Sequence, residues 1–156
     1  MLAGRSPIAG LVAMLALAGA AGLTIGAENG VQLRDPLTNQ PLEIELPPDA
    51  SEEVKKFFET GENPFHGDEQ ALAEGKRLYD RWCASCHMRD GSGRMGPSLI
   101  DDEWKYERAA TTVGQFEIIY AGAAGAMQPF KDRLSPEEIL QVIAYTDHLR
   151  EQHQAE

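Results

Sequence analysis

Two cysteines and one histidine near the middle of the chain are the residues whose types and spacing suit chemistry. They are Cys83, Cys86 and His87, in the stretch RWCASCH. As Trp-Cys-x-x-Cys, the stretch is typical of the redox dithiol of a thioredoxin-like protein. As Cys-x-x-Cys-His, it is typical of a c-type haem attachment site. The first interpretation predicts a disulfide exchanger and the second an electron carrier, so the flanking elements must distinguish them.

The elements around these residues favour haem attachment. A thioredoxin-like site needs a strand before the dithiol and a helix after it. Here Leu72, Gly75, Tyr79 and Trp82 recur at helical spacing, which predicts a helix from about Glu69 into the motif. A glycine-rich loop follows, and no convincing strand occurs from residue 68 onward. A two-residue spacer also closes too small a loop for a stabilising disulfide.

The motif therefore predicts one covalently bound haem c. Two thiols three residues apart can add to the two vinyl groups of one porphyrin, and the adjacent imidazole then lies under the iron. Cys83 and Cys86 are the predicted anchors, and His87 is the predicted proximal ligand.

Three methionines are candidates for the sixth iron ligand. Met88 adjoins His87 and cannot reach across the ring, and Met95 lies in the loop tethered to the proximal side. Met127 follows His87 by forty residues, far enough to cross the haem edge, and a thioether is a soft ligand that suits iron. We therefore favour Met127 over Met95 as the ligand. The alternative is that a methionine here only fills space in the hydrophobic core. The remaining histidines are expected to be solvated surface residues: His66, His148 and His153.

Three more residues are predicted haem contacts. Pro97 is expected to press on the haem and to place a carbonyl near Nδ1–H of His87, which would orient the ring. Arg94 and Trp104 are candidate donors to haem propionates. An equal alternative for Trp104 is that it packs in the core. An equal alternative for Arg94 is that it lies in a solvated loop.

The other elements predict an all-α domain with an N-terminal arm. Alternating residues at 31–34 and 42–46 predict a short β-ribbon in the arm, and a helix capped by Ser51 and stopped by Gly61 follows. Further helices are predicted at 112–121 and after Ser135, where Pro136 and Glu138 complete a capping box. The predicted boundaries are a signal peptide at 1–27, an arm at 28–67, a haem domain at 68–150 and a tail at 151–156.

The first residues and the overall charge indicate where the protein is located and which partners it can bind. A short Ala- and Gly-rich run from Ile8 to Ala21 follows Arg5, which favours a cleaved secretory signal over a membrane span. The 156-residue chain has a net charge of −11. Without residues 1–27 it keeps 13 cations and 25 acids, a net of −12. This balance argues against nucleic acid and anionic membranes and favours a soluble protein steered to a basic partner surface.

The region from Asp68 to Leu149 resembles a class I cytochrome c, in which the first and last helices cross at a small residue. The resemblance extends over nearly the whole mature chain to cytochrome cL, the periplasmic electron acceptor of PQQ-dependent methanol dehydrogenases. The segments that carry it are the arm from Val31 to His66, residues 91–102, Trp104-Lys105-Tyr106, residues 114–119 and residues 122–129. Gln128 departs from the Met-Gly-Pro that we associate with this family, which leaves the tuning of the reduction potential open.

This resemblance implies an electron-transfer protein, not an enzyme, located in the periplasm. Its implied donor is a PQQ-dependent methanol dehydrogenase, and its implied acceptor is a second cytochrome c or an oxidase. One alternative is a carrier of the same fold that serves another respiratory enzyme. A second is a five-coordinate haem enzyme or sensor, which would require Met127 to be displaced or distant from the iron.

Overall fold

The computed structural model of this protein describes residue 1 and residues 30–155. The predicted signal peptide, apart from its first residue, lies outside the described residues. The described helices are α1 Glu52–Thr60, α2 Glu69–Trp82, α3 Ala84–His87, a 3₁₀ helix Glu107–Ala110, α4 Thr112–Ala121 and α5 Pro136–Gln154. The prediction of an all-α fold is confirmed. Across residues 30–155, no helix is both long enough and apolar enough to cross a membrane.

Helices α2 and α5 pack closely because a glycine lies where they cross. A Cβ atom at Gly75 would lie 2.1 Å from the carbonyl oxygen of Gln141 and 3.0 Å from Cβ of Tyr145. No larger residue fits that approach without a backbone shift. The rings of Tyr79 and Tyr145 pack against each other beside the crossing, with centroids 5.4 Å apart. The prediction that another backbone approaches Gly75 is confirmed.

Helix α5 begins at the predicted capping box. The Ser135 hydroxyl accepts from the Glu138 amide, and the Glu138 carboxylate accepts from the Ser135 amide at 2.8 Å. More than one face of this helix is buried, because α1, α2 and α4 all pack against it. Its buried residues are Ile139, Leu140, Val142, Ile143, Ala144, Tyr145 and Thr146. The helix continues through Gln154 and so includes most of the segment predicted as a tail.

The N-terminal arm contributes to the same core as the helical region. Helix α1 has the predicted caps, with Ser51 at its start and Gly61 at a φ of 77° after its end. Phe57 is fully buried, and Val54 and Leu33 are nearly so. The Ser51 hydroxyl also donates to a Glu137 carboxylate oxygen at 2.8 Å. The boundary at residue 67 stays a prediction, but apolar side chains from both sides of it meet in one cluster.

The predicted β-ribbon of the arm is reduced to one antiparallel bridge between Arg34 and Pro41. The chain does reverse there, since the Leu42 amide donates to the Leu33 carbonyl at 2.9 Å. Pro41 has no N–H to extend a ladder. The apolar residues that follow pack against the helical core, and their alternation reflects that packing: Leu42, Ile44 and Leu46.

Helix α4 lies where it was predicted and has one unexpected buried side chain. Phe116 is fully buried, while Val113 and Tyr120 are half-buried against the core. Glu117 is 1% exposed. Its carboxylate pairs with the Arg108 guanidinium and accepts from the Arg34 amide at 2.7 Å. This carboxylate therefore joins the arm, the 3₁₀ helix and α4.

Candidate haem site

The two cysteines and His87 lie on one short helical turn that starts where α2 ends. The amides of Cys86 and His87 both donate to the Cys83 carbonyl, each at 3.0 Å. Residues three and four apart in a helix share a face, so this turn presents the three side chains together. Both cysteines are free and half-buried.

The environment of Cys83 argues against a redox dithiol. Burial, with a smaller contribution from the neighbouring Cys86, raises the pKa of the Cys83 thiol to about 12. A reactive dithiol needs a thiolate, which requires a lowered pKa. The helix that precedes Cys83 also occupies the place where a thioredoxin-like site has a strand.

The His87 ring is held by the loop that follows it. Its Nδ1 atom lies 2.8 Å from the carbonyl oxygen of Pro97. A carbonyl only accepts hydrogen bonds, so Nδ1 carries the proton and Nε2 keeps its lone pair for a metal. The loop is folded back by two bonds, from the Gly96 amide to the Cys86 carbonyl and from the Gly93 amide to the His87 carbonyl. The predicted proximity of the Pro97 carbonyl to His87 Nδ1 matches this geometry.

Gly96 makes room for the imidazole. A Cβ atom there would lie 2.5 Å from Cε1 of His87 and 2.8 Å from both ring nitrogens. Contacts that short are not tolerated, so any larger residue would displace the ring or the loop. The sequence reasoning did not identify this role, although the dense glycines of residues 91–96 indicate close backbone packing.

Tyr79 supports the turn that leaves His87. The next residue, Met88, has a φ of 63°, which is uncommon for a residue other than glycine. The Tyr79 hydroxyl donates to the Met88 carbonyl at 2.7 Å. Burial raises the pKa of Tyr79 well above its ordinary value, so the phenol stays a donor. A buried side chain of α2 thus stabilises a strained turn beside the imidazole.

The methionines differ in burial. Met95 is 69% exposed and Met88 is 37% exposed. Met127 is half-buried and packs against the same core cluster as Trp82 and Cys83. Its greater burial favours Met127 over Met95 as a ligand.

The other two predicted haem contacts, Arg94 and Trp104, form no hydrogen bond with His87 among the described residues. Arg94 is exposed in the loop. Trp104 is half-buried, and the Arg150 guanidinium lies over its ring, 4.6 Å from the centroid. Both stay predictions as haem contacts.

The side chains of this region fit a covalently bound haem c. They provide two free thiols on one turn, an imidazole whose Nε2 can bind a metal, a glycine that leaves room for that ring, and a half-buried thioether. A Cys-x-x-Cys-His turn at the end of a helix that crosses the last helix at a glycine defines the architecture of a class I c-type cytochrome.

Comparison with known proteins specifies the family. The model of the family described as cytochrome c oxidase, cbb3-type, subunit III matches residues 70–145. Cytochrome c-L of Methylorubrum extorquens is 38% identical over 127 residues, which cover 80% of this chain and 64% of that protein. The chain therefore spans just under two thirds of that curated relative.

Two solved structures resemble most of the described fold. The crystal structure of cytochrome cL from Methylophaga aminisulfidivorans is 33% identical, with a TM-score of 0.72, covering 76% of this chain and 79% of that one. Cytochrome cL from Hyphomicrobium denitrificans is 32% identical, with a TM-score of 0.71, covering 76% and 73%. This chain belongs to the cytochrome cL family. That family consists of electron-transfer proteins with covalently bound haem c, not of enzymes.

Proposed function

We propose that this chain is a periplasmic one-electron carrier. In this proposal it accepts electrons from a PQQ-dependent methanol or alcohol dehydrogenase and passes them to a second cytochrome c or an oxidase. The observation that carries the proposal is the 2.8 Å contact between His87 Nδ1 and the Pro97 carbonyl within a Cys-x-x-Cys-His turn. It leaves Nε2 as the nitrogen that can bind iron. The choice of partner rests on membership of the cytochrome cL family.

Each residue of the site has a distinct role in this proposal. Cys83 and Cys86 would hold the haem through thioethers, and His87 and Met127 would bind its iron. When bound, haem c supplies an iron centre that gains and loses one electron at a time. The Pro97 carbonyl fixes the tautomer and orientation of His87. The thioether of Met127 would be a weak, soft ligand and would raise the reduction potential relative to a second imidazole.

Two protein ligands for the iron, His87 and Met127, are the reason that we propose electron transfer and not catalysis. With both residues bound to the iron, no coordination position would be left for a substrate. The charge suits a carrier that meets a basic surface, since the net is −11 and steering raises encounter rates. At about 0.15 M salt such charges are screened beyond about 8 Å, so the effect should weaken as salt is added.

Mixing the haem-loaded protein with a purified PQQ-dependent methanol dehydrogenase and methanol tests this function. We expect rapid haem reduction that slows as salt increases. An NAD-dependent alcohol dehydrogenase with its substrate and cofactor is the control. Reduction no faster than in the control would refute the donor assignment.

A further inference from the structure

The segment that carries Met127 is a closed turn, residues 122–129, which we call the methionine turn. The Ala123 amide donates to the Met127 carbonyl at 2.9 Å, which closes the turn on itself. Gly122 has a φ of 83°, and a Cβ atom there would lie 2.9 Å from that same carbonyl oxygen. Where the turn ends, the Phe130 amide donates to the Ile119 carbonyl at 3.0 Å. These bonds hold the turn to the end of α4.

One tyrosine from another part of the chain also reaches this turn. The hydroxyl oxygen of Tyr106 accepts from the Ala124 amide at 2.9 Å. Ala124 lies inside the loop that the bond between Ala123 and Met127 closes. The Tyr106 bond therefore restrains the turn at a residue that the bonds to the end of α4 do not hold.

Tyr106 can act as a restraint because the segment after it is fixed on α4. A Cβ atom at Gly114 would lie 1.9 Å from the Arg108 carbonyl oxygen, so the two backbones are in direct contact. The Arg108 guanidinium forms a two-point ion pair with the buried carboxylate of Glu117, with Nε to Oε2 at 2.8 Å. Bidentate pairs of this kind fix geometry as well as charge. The 3₁₀ helix is thus anchored immediately after Tyr106.

We propose that Tyr106 is a positioning residue for Met127. Its hydroxyl holds the methionine turn closed, so that the thioether stays available to the iron and competing ligands are kept out. This inference rests on the proposed ligation by Met127. Tyr106 itself touches neither the iron nor Met127 in this scheme and acts through the Ala124 amide.

The test is Tyr106→Phe in the haem-loaded protein, which removes only the hydroxyl. We expect imidazole to displace the thioether more readily, with its apparent affinity for the oxidised protein rising about three- to tenfold, the range expected for one lost hydrogen bond. As the pH is raised, the far-red absorption band of iron–thioether bonding should also disappear at a lower pH than it does in the unchanged protein. Tyr120→Phe is the matched control, because it makes the same chemical change on adjacent α4.

Two further measurements separate the explanations. Tyr106→Phe should lower the free energy of unfolding by no more than the same three- to tenfold factor, about 0.7–1.4 kcal/mol, so that ligand exchange is measured on a folded protein. Unaltered imidazole affinity, or an equal change in Tyr120→Phe, overturns the role of Tyr106. Met127→Ala is measured in parallel. If its far-red band survives, the ligand assignment fails and the role of Tyr106 fails with it; if the band is lost, only the Tyr106 result decides the inference.

Discussion

At the scale of single residues, this site depends on how one imidazole is held. The Pro97 carbonyl fixes which nitrogen of His87 carries the proton, and Gly96 leaves space for the ring. Neither contact adds a ligand to the predicted set. The Pro97 carbonyl leaves the lone pair of this predicted ligand on Nε2. The carbonyl and Gly96 together fix the orientation of the ring, as the partners of metal-binding histidines generally do.

The opposite axial position gives the clearest prediction at this scale. Met127→Ala is expected to abolish the far-red band of the oxidised protein. It should also lower the reduction potential by about 0.1 V or more, since axial ligands set haem potentials over a range of about 0.8 V. Spectroelectrochemical titration measures both. Met95→Ala, which removes an exposed methionine, is the control and should change neither. Loss of the band in Met95→Ala instead would transfer the ligand role to that residue.

At the scale of elements, the crossing of α2 and α5 positions the cysteine turn. Helix α2 ends at Trp82, so its placement against α5 sets the position of Cys83.

The helices themselves were predictable, because their periodicity and caps are local in sequence: Ser51, Thr111 and Ser135 each accept a hydrogen bond from a first-turn amide. The buried Glu117 was not predicted. It lies four residues after Val113 and three before Tyr120, so its position on the inner face was readable, but its two partners come from distant segments.

The crossing can be tested with one methyl group. Gly75→Ala places a Cβ atom where 2.1 Å separates it from the Gln141 carbonyl oxygen, so the helices must move apart. We expect a loss of about 1–3 kcal/mol in the free energy of unfolding, the usual cost of overpacking. Denaturant titration of the haem-loaded protein measures it. Ala73→Val adds more volume on the exposed face of α2 and should cost less than about 0.7 kcal/mol. Equal losses in both variants would mean that the close approach is not limiting.

At the scale of the whole molecule, one ionisable cluster brings together distant segments. On α5, Arg150 donates to the Asp147 carboxylate at 3.0 Å and lies over the ring of Trp104. From the arm, His66 approaches Glu151 at 3.3 Å. Burial raises the pKa of Asp147, although Arg150 and His66 act in the opposite direction and Glu151 adds to the rise. The folded state therefore binds the Asp147 proton more tightly than the unfolded state does.

The sign of this shift gives a pH prediction. The native state binds the Asp147 proton more tightly than the unfolded state, so this group's contribution to stability is present below the ordinary pKa of 3.8 and is lost as pH rises through the raised value. Asp147→Asn removes that loss. Relative to the unchanged protein, the variant should gain stability as pH increases through this window, and urea unfolding at a series of pH values measures the difference.

The control for Asp147→Asn is Asp49→Asn, which removes one negative charge from an exposed surface position. If Asp147→Asn instead became relatively less stable with rising pH, ionised Asp147 would be favoured by its ion pair with Arg150, and the direction of the shift would be wrong.

The amino-acid sequence by itself determined the parts of this protein that depend on neighbours a few residues away. Helix periods, caps and the Cys-x-x-Cys-His spacing are of this kind, and they were sufficient to predict the helices and the haem chemistry. The tertiary structure alone decided the contacts between distant segments. These include the Gly96 cradle for His87, the Glu117 link from the arm to α4, and the Tyr106 bond to the methionine turn. The physical reason is that such contacts depend on how whole elements pack, and packing brings together residues whose pairing leaves no periodic trace in the sequence.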